Sequence, residues 1–163
     1  MTRVASLPLA PGASAQSMAP MTGAGHPTHI HAGTCSDVGD VVAPLSDTSA
    51  EFPMDGEPMM MPAMGTATAI PVELGITSAA TVAYADLFSS PHSIVVHQDA
   101  TDAGIKVYIA CGDIGGPEMG TTDIAFGLGA LNDSGYTGIA TIHDNGDGTV
   151  KVGVYLTTGH PMM

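Results

Sequence analysis

Short runs in which apolar and polar residues alternate make up most of this sequence from residue 28 onward. Alternation with a period of two is typical of strands that bury one face, and Gly or Pro residues separate most of these runs. The run 66–74 contains Pro71, which favours an edge strand or a bulge. The pattern predicts a short helical turn near residues 84–88 and strands over residues 28–32, 41–45, 66–74, 93–98, 104–111 and 121–131.

The last two apolar runs, residues 136–143 and 149–157, flank the turn-forming sequence DNGDG at residues 144–148. Asn-Gly and Asp-Gly pairs adopt the positive φ angles that tight hairpin turns require, so residues 134–157 are predicted to form a C-terminal hairpin. About eight short strands at this spacing indicate an all-β sandwich or barrel.

The composition agrees with an all-β fold. The chain has 21 Gly, 12 Pro and only 12% charged residues, which disfavours long helices because Gly and Pro oppose helix interiors. No apolar run in the sequence approaches the roughly 20 residues of a membrane-spanning helix. The length of 163 residues fits one domain, and the net charge of −13 argues against nucleic acid or an anionic membrane surface as a partner.

Residues 1–15 are similar to the end of a secretory signal. Arg3 is followed by a short apolar run, and Ala-Ser-Ala at residues 13–15 fits a small-residue cleavage site. The alternative is an unstructured leader without a function. We expect a signal remnant over residues 1–15, a single domain over residues 16–163, and a secreted or periplasmic location.

The histidines indicate a candidate metal site. His29 and His31 are two residues apart on a predicted strand, so their side chains share one face, roughly 6–7 Å apart along the backbone. His97 ends another predicted strand, and a neighbouring position would bring three imidazoles to one ion. Such a group suits Cu, Zn, Ni or Fe, and Cu(II) heads the order of affinities. The alternative is that these are ordinary core or surface histidines.

Four further histidines are weaker candidates. His26 precedes His29 by three residues in a predicted loop, and it is an additional candidate ligand. His92 has the opposite strand parity to His97, so we expect it at the surface. His143, at the hairpin turn, and His160, in the tail, are expected to have no metal role.

A Met- and Pro-rich predicted loop over residues 46–64 provides other candidate ligands. Thioether sulfur is a soft ligand that favours Cu(I). The alternative is that this segment forms a flexible apolar lid over the sandwich. The loop contains Met54 and the candidate copper contacts Met59, Met60, Met61 and Met64.

The sequence contains two cysteines, Cys35 and Cys111. An exported chain with two cysteines most simply forms one disulfide. The alternative is a pair of thiolate metal ligands, although the two residues lack the Cys-x-x-Cys spacing typical of such sites.

Three segments of the chain resemble copper/zinc superoxide dismutases and their bacterial SOD-like and CHRD-like relatives. Residues 28–35 (THIHAGTC) resemble the copper-binding His-x-His strand with its following cysteine, and residues 93–98 (SIVVHQ) resemble the strand of a later copper histidine. Residues 110–114 (ACGDI) resemble the segment of the second half-cystine, and the motifs agree in order over residues 26–114. The resemblance implies a Greek-key β-sandwich, copper on His29, His31 and His97, and a Cys35–Cys111 disulfide.

The sequence also departs from that family. The dismutases have a bridging histidine and zinc ligands between the first cysteine and the later copper strand, whereas residues 36–91 contain no histidine. We therefore expect no zinc site. The enzymes have an arginine, which attracts superoxide, three residues before the second cysteine. Tyr108 occupies that position here, and the net charge of −13 repels an anionic substrate.

The order of the segments differs as well. In the relatives, the hairpin that residues 134–156 resemble precedes the His-x-His strand, whereas here it follows that strand. Thr-Gly-His-Pro at residues 158–161 also repeats part of residues 22–27. These features predict a circular permutation or a truncated second repeat. The hairpin then folds back onto its own sandwich, giving a monomer, or exchanges with a neighbour, giving a hairpin-swapped dimer.

These observations favour a secreted or periplasmic protein that sequesters copper or delivers it to another copper protein. The cofactor is expected to be copper, as Cu(I) or Cu(II), and no catalytic residue is assigned. One alternative is a copper-only superoxide dismutase. Another is a structural β-sandwich whose metal ligands are vestigial.

Overall fold

The computed structural model describes residues 25–54, 57–60, 65–66 and 69–158, with the backbone alone at residues 51–54 and 57–60. The predicted signal remnant and His160 lie outside the described residues. Ten strands are described: β1 (Thr28–Thr34), β2 (Asp37–Pro44), β3 (Glu51–Met54), β4 (Glu57–Met60), β5 (Glu73–Ala80), β6 (His92–His97), β7 (Tyr108–Asp113), β8 (Asp123–Ala130), β9 (Tyr136–Asp144) and β10 (Val150–Thr158). Two 3₁₀ turns occupy Tyr84–Phe88 and Gly104–Lys106.

Eight of these strands form one antiparallel sheet, in the order β2-β1-β6-β7-β8-β9-β10-β5, which curls into a half-barrel. The chain leaves the β2 edge and crosses towards the β5 edge, where the Ser46 amide donates to Thr77 Oγ1 at 2.7 Å. Ser49 and Leu74 form an isolated antiparallel β-bridge between the same two parts of the chain. The all-β prediction is therefore confirmed, in a sandwich-like or barrel-like form.

The core lies on the concave side of the curled sheet, because alternate residues of the strands point inward. Ile30 pairs with Ile94 across β1 and β6, and Ile142 pairs with Ile124 and Val152 across β8, β9 and β10. All five side chains are almost fully buried. Burial of one such side chain contributes about 1.5–3 kcal/mol, so these pairs fix the register of the neighbouring strands.

The C-terminal hairpin follows the prediction. Strands β9 and β10 pair along their whole length, and β10 also pairs with β5 of the same chain. Gly146 and Gly148 in the connecting turn have φ angles of 76° and 86°, a region that favours glycine. The hairpin thus completes the sheet of its own chain.

Three predicted elements differ from the structure. A strand is predicted over residues 66–74, but β5 begins at Glu73. Pro71 has no amide hydrogen to donate to a strand ladder. The run 104–111 divides into the Gly104–Lys106 turn and β7. The predicted loop 46–64 contains a two-stranded ribbon, β3–β4, in which Pro53 faces Pro58. Both strands of a ribbon are edge strands, where proline is tolerated.

The prediction of a helical turn near residues 84–88 is confirmed, and Leu87 of this turn is buried in the core. None of the helices among the described residues is long and apolar enough to cross a membrane.

Candidate metal centre

Strands β1 and β6 bring three histidines together on the convex side of the sheet. Ile30 points into the core, so His29 and His31, its neighbours on β1, point to the opposite face. Antiparallel pairing places β6 beside β1, and the His97 amide donates to the Pro27 carbonyl at 2.8 Å. His97 therefore lies next to His29, as the sequence predicted for a neighbouring strand.

The three imidazoles form a compact group. The ring centroids of His29 and His97 are 4.8 Å apart, those of His31 and His97 are 5.6 Å apart, and those of His29 and His31 are 5.8 Å apart. One ligand nitrogen from each residue lies within 4.8 Å of the other two. Around an ion with bonds of about 2.0 Å, ligand nitrogens lie no more than about 4 Å apart, so the three nitrogens must move slightly closer together to bind one ion.

Backbone carbonyls fix the orientation of two of these rings. His31 donates from Nδ1 to the Gly39 carbonyl at 2.9 Å, and His97 donates from Nδ1 to the Ile105 carbonyl at 2.5 Å. Because a carbonyl only accepts, each bond places the proton on Nδ1 and leaves Nε2 with a free lone pair. Hydrogen bonds of this kind commonly orient histidine ligands of metals.

The Nε2 atom of His31 is the strongest sign of a missing partner. It is buried, and it has no hydrogen-bond partner among the described residues. Buried polar atoms are almost always paired, and an unpaired one costs about 1–3 kcal/mol. Since Nε2 of His97 carries a lone pair, Nδ1 of His29 donates to it at 3.0 Å, and an ion bound between the two rings would take the place of that proton. The three donor atoms therefore fit a metal ion held by imidazole nitrogens.

Local irregularities in the strands position these ligands. The β1–β2 pairing shifts register on both sides of His31, and the β6–β7 pairing shifts between Val96 and His97. Such bulges redirect side chains. Close approach of β2 also requires Gly39, where a Cβ atom would lie 2.9 Å from the Ala32 carbonyl oxygen.

Burial favours the neutral, metal-binding form of His29 and His97. Burial is the largest cause that lowers the pKa of His29 from its ordinary value, and the neighbouring His31 lowers it further. Burial also lowers the pKa of His97; the bond to Ile105 opposes this change, and His29 and His31 add to it. Both residues are therefore neutral at pH 7, with lone pairs available.

The lowered pKa values of His29 and His97 predict the pH dependence of metal binding. Protons compete with a metal ion for imidazole nitrogen, and an unperturbed imidazole gains its proton near pH 6.5. Since the folded pKa values of His29 and His97 lie below that point, we expect protonation of these two residues to weaken metal binding only below about pH 6.5. Competition titrations at about pH 7.5, 6.5 and 5.5 measure this. A loss of affinity between the two higher values would contradict the expectation.

The structure does not bring His26 into the three-histidine group. Its Nδ1 donates to the Gln98 carbonyl at 2.6 Å. Its Nε2 lies 3.3 Å from Glu73 Oε2 and 3.3 Å from the Tyr136 hydroxyl. These contacts join the segment before β1 to β5 and β9, so His26 links strands across the half-barrel.

The other candidate residues have separate positions. The prediction that His92 lies at the surface is wrong, because it is buried on β6 and its Nδ1 is 2.9 Å from the Ser90 carbonyl. His143 is paired with Asp123 at 2.8 Å.

Met54, Met59 and Met60 belong to strands described by their backbone alone, and Met61 and Met64 lie outside the described residues. Copper contact by Met59, Met60, Met61 and Met64 stays a prediction.

Cys35 and Cys111 form a disulfide with a Cα–Cα distance of 5.8 Å. This confirms the predicted pairing, and it excludes the alternative of two thiolate ligands because both sulfur atoms are bonded to each other. The bridge connects the β1–β2 turn to β7. The Cys35 amide also donates to Asp113 Oδ1 at 2.7 Å, which holds the same turn.

Comparison with known proteins gives no match: no family model, no curated protein and no solved structure matches this chain. The residues and geometry of the three-histidine group are therefore the basis for assigning a function to this chain.

Proposed function

We propose that this chain is an exported copper-binding protein that sequesters copper or delivers it to another copper protein. His29, His31 and His97 are the ligands. The observation that supports the proposal is the convergence of their donor nitrogens within 4.8 Å of one another, with Nε2 of His31 buried and unpaired. A bound metal ion accepts the lone pairs of these nitrogens, and it gives the buried Nε2 atom of His31 a partner.

Copper is the metal favoured by this donor set. Imidazole nitrogen binds several first-row metals, and at a given nitrogen site Cu(II) has the highest affinity of the divalent ions. The order of the His-x-His strand, the later histidine and the two cysteines also resembles the copper strands of SOD-like proteins. That resemblance is part of the proposal and supports the same three ligands.

Export is proposed from two features. The Cys35–Cys111 disulfide is typical of proteins that fold in an oxidising compartment. The apolar run and the Ala-Ser-Ala sequence within residues 1–15 are similar to the end of a secretory signal.

Binding is favoured over dismutase activity by the charge of the chain. A net charge of −13 lowers the rate at which an anion such as superoxide reaches the surface. A copper carrier does not depend on such an encounter, because its ligand is a cation that the same field attracts.

The proposal is tested by thermal unfolding with and without copper. A ligand that binds only the native state, at 100 times its Kd, adds about 2.7 kcal/mol of stability, or about 5–10 °C in Tm for a chain of this size. We expect this increase for copper and a smaller one for zinc at the same concentration. An unchanged Tm with excess copper would support the structural β-sandwich alternative instead.

A further inference from the structure

Tyr108 lies directly beside the three-histidine group. It begins β7 and faces His97 across the β6–β7 pairing. Its ring meets the His97 imidazole edge-on, with centroids 5.1 Å apart and an interplanar angle of 85°. Its ring centroid is also 6.3 Å from that of His31. One aromatic ring thus borders two of the three ligands.

Main-chain atoms also lie beside the group. Strand β1 forms its base, the Gly39 carbonyl lies behind His31, and the Ile105 carbonyl lies behind His97. Tyr108 borders the group with its side chain, and it is only half-buried, whereas Ile109 and Ala110 next to it are buried. The ring beside the ligands is therefore partly exposed to solvent.

Hydrogen bonds hold the backbone at Tyr108, whereas none holds its side-chain hydroxyl among the described residues. Asn132 donates from Nδ2 to the Tyr108 carbonyl at 3.0 Å, and Ser134 donates to the Ile109 carbonyl. Asn132 itself has a φ of 53°, in the left-handed region that asparagine adopts more readily than most residues. No hydrogen bond to another described residue restrains the Tyr108 hydroxyl. The ring is placed by its backbone and by its contact with His97.

We propose that Tyr108 is a specificity-determining cover of the metal site, which limits the access of anions and chelators to the bound ion. This inference rests on the proposed copper function. A neutral aromatic ring fills space next to the ion without adding a charge that would attract an anion. A small cation enters between the imidazoles, whereas an additional ligand needs the volume that the phenol ring occupies.

Azide binding to the Cu(II)-loaded protein tests the proposal. Azide binds an open copper position and is followed by its charge-transfer absorbance and by electron paramagnetic resonance. We expect Tyr108→Ala to bind azide at least about tenfold more tightly than the wild type and Tyr108→Phe to match the wild type, because Phe keeps the ring. Tyr155→Ala, which removes a tyrosine on β10, is the matched control and is expected to change nothing.

The possible results of this experiment separate failure of the cover proposal from failure of the copper function. If Tyr108→Ala binds azide as the wild type does, or if Tyr108→Phe changes azide affinity as much as Tyr108→Ala, the cover proposal is overturned. If the wild type shows no nitrogen-coordinated Cu(II) signal before azide is added, the copper function fails instead. Should Tyr108→Ala not fold, Tyr108→Val serves in its place, because Val removes the ring and has high β propensity.

Discussion

The His29→Ala/His31→Ala double variant is expected to lose copper affinity by at least about a thousandfold. Residues that merely orient metal ligands change affinity by about 10- to 100-fold when replaced, and this variant removes two of three ligands. His97 then remains alone, and a single imidazole does not hold an ion at a defined site. Competition with a chelator of known Cu(I) or Cu(II) affinity measures the loss.

The same variant is expected to fold without copper. Alanine at residue 31 leaves space in the structure, but it also removes the buried Nε2 atom, whose missing hydrogen bond costs about 1–3 kcal/mol. Circular dichroism and denaturant unfolding establish the fold. His143→Ala is the matched control, since His143 is paired with Asp123 on another part of the sheet and should leave copper affinity unchanged. Undiminished affinity in the double variant would end the proposed function.

The second large effect is expected on removal of the disulfide. In the Cys35→Ser/Cys111→Ser variant we expect the free energy of unfolding to fall by about 4.5 kcal/mol. The bridge closes a loop with a sequence separation of 76 residues, and long loops gain most from closure because the bridge restricts the unfolded chain. For a chain of this length, Tm is expected to fall by about 10 °C or more.

Equilibrium unfolding in urea measures this difference. The wild type treated with a reductant is the appropriate control, since it lacks the bridge and keeps both sulfur atoms, and it should unfold near the midpoint of the double serine variant. A loss below about 1 kcal/mol would show that the bridge contributes little to stability, as happens when native strain offsets the loop entropy.

The disulfide is also connected to the candidate metal centre by the pairing of β1, β6 and β7. Cys111 faces Val95 across β6 and β7, and Val95 faces His29 across β1 and β6. The bridge therefore restrains the convex side of the same three strands that position the ligands. Measuring copper affinity in the disulfide-free variant separates its effect on stability from its effect on the site.

Much of the fold was predictable because period-two alternation depends on local sequence alone. The strands around His29, His97 and the C-terminal hairpin lie where the apolar runs predicted them, and the Gly residues of the hairpin turn have the positive φ angles that their sequence favours. Prediction failed at residues 66–74 and 104–111, because there the pairing partner and a turn determine the backbone rather than the apolar pattern.

The sequence by itself determined that His29 and His31 share a face, that His97 ends a strand and that two cysteines are available for one bridge. Only the tertiary structure decided that β6 lies beside β1, so that three imidazoles meet, and that His26 turns towards Glu73 instead. It also supplied the carbonyls of Gly39 and Ile105, which no side-chain motif encodes. The physical reason is that strand alternation is a property of neighbouring residues, whereas strand order and backbone hydrogen bonds to side chains arise from the packing of residues distant in sequence.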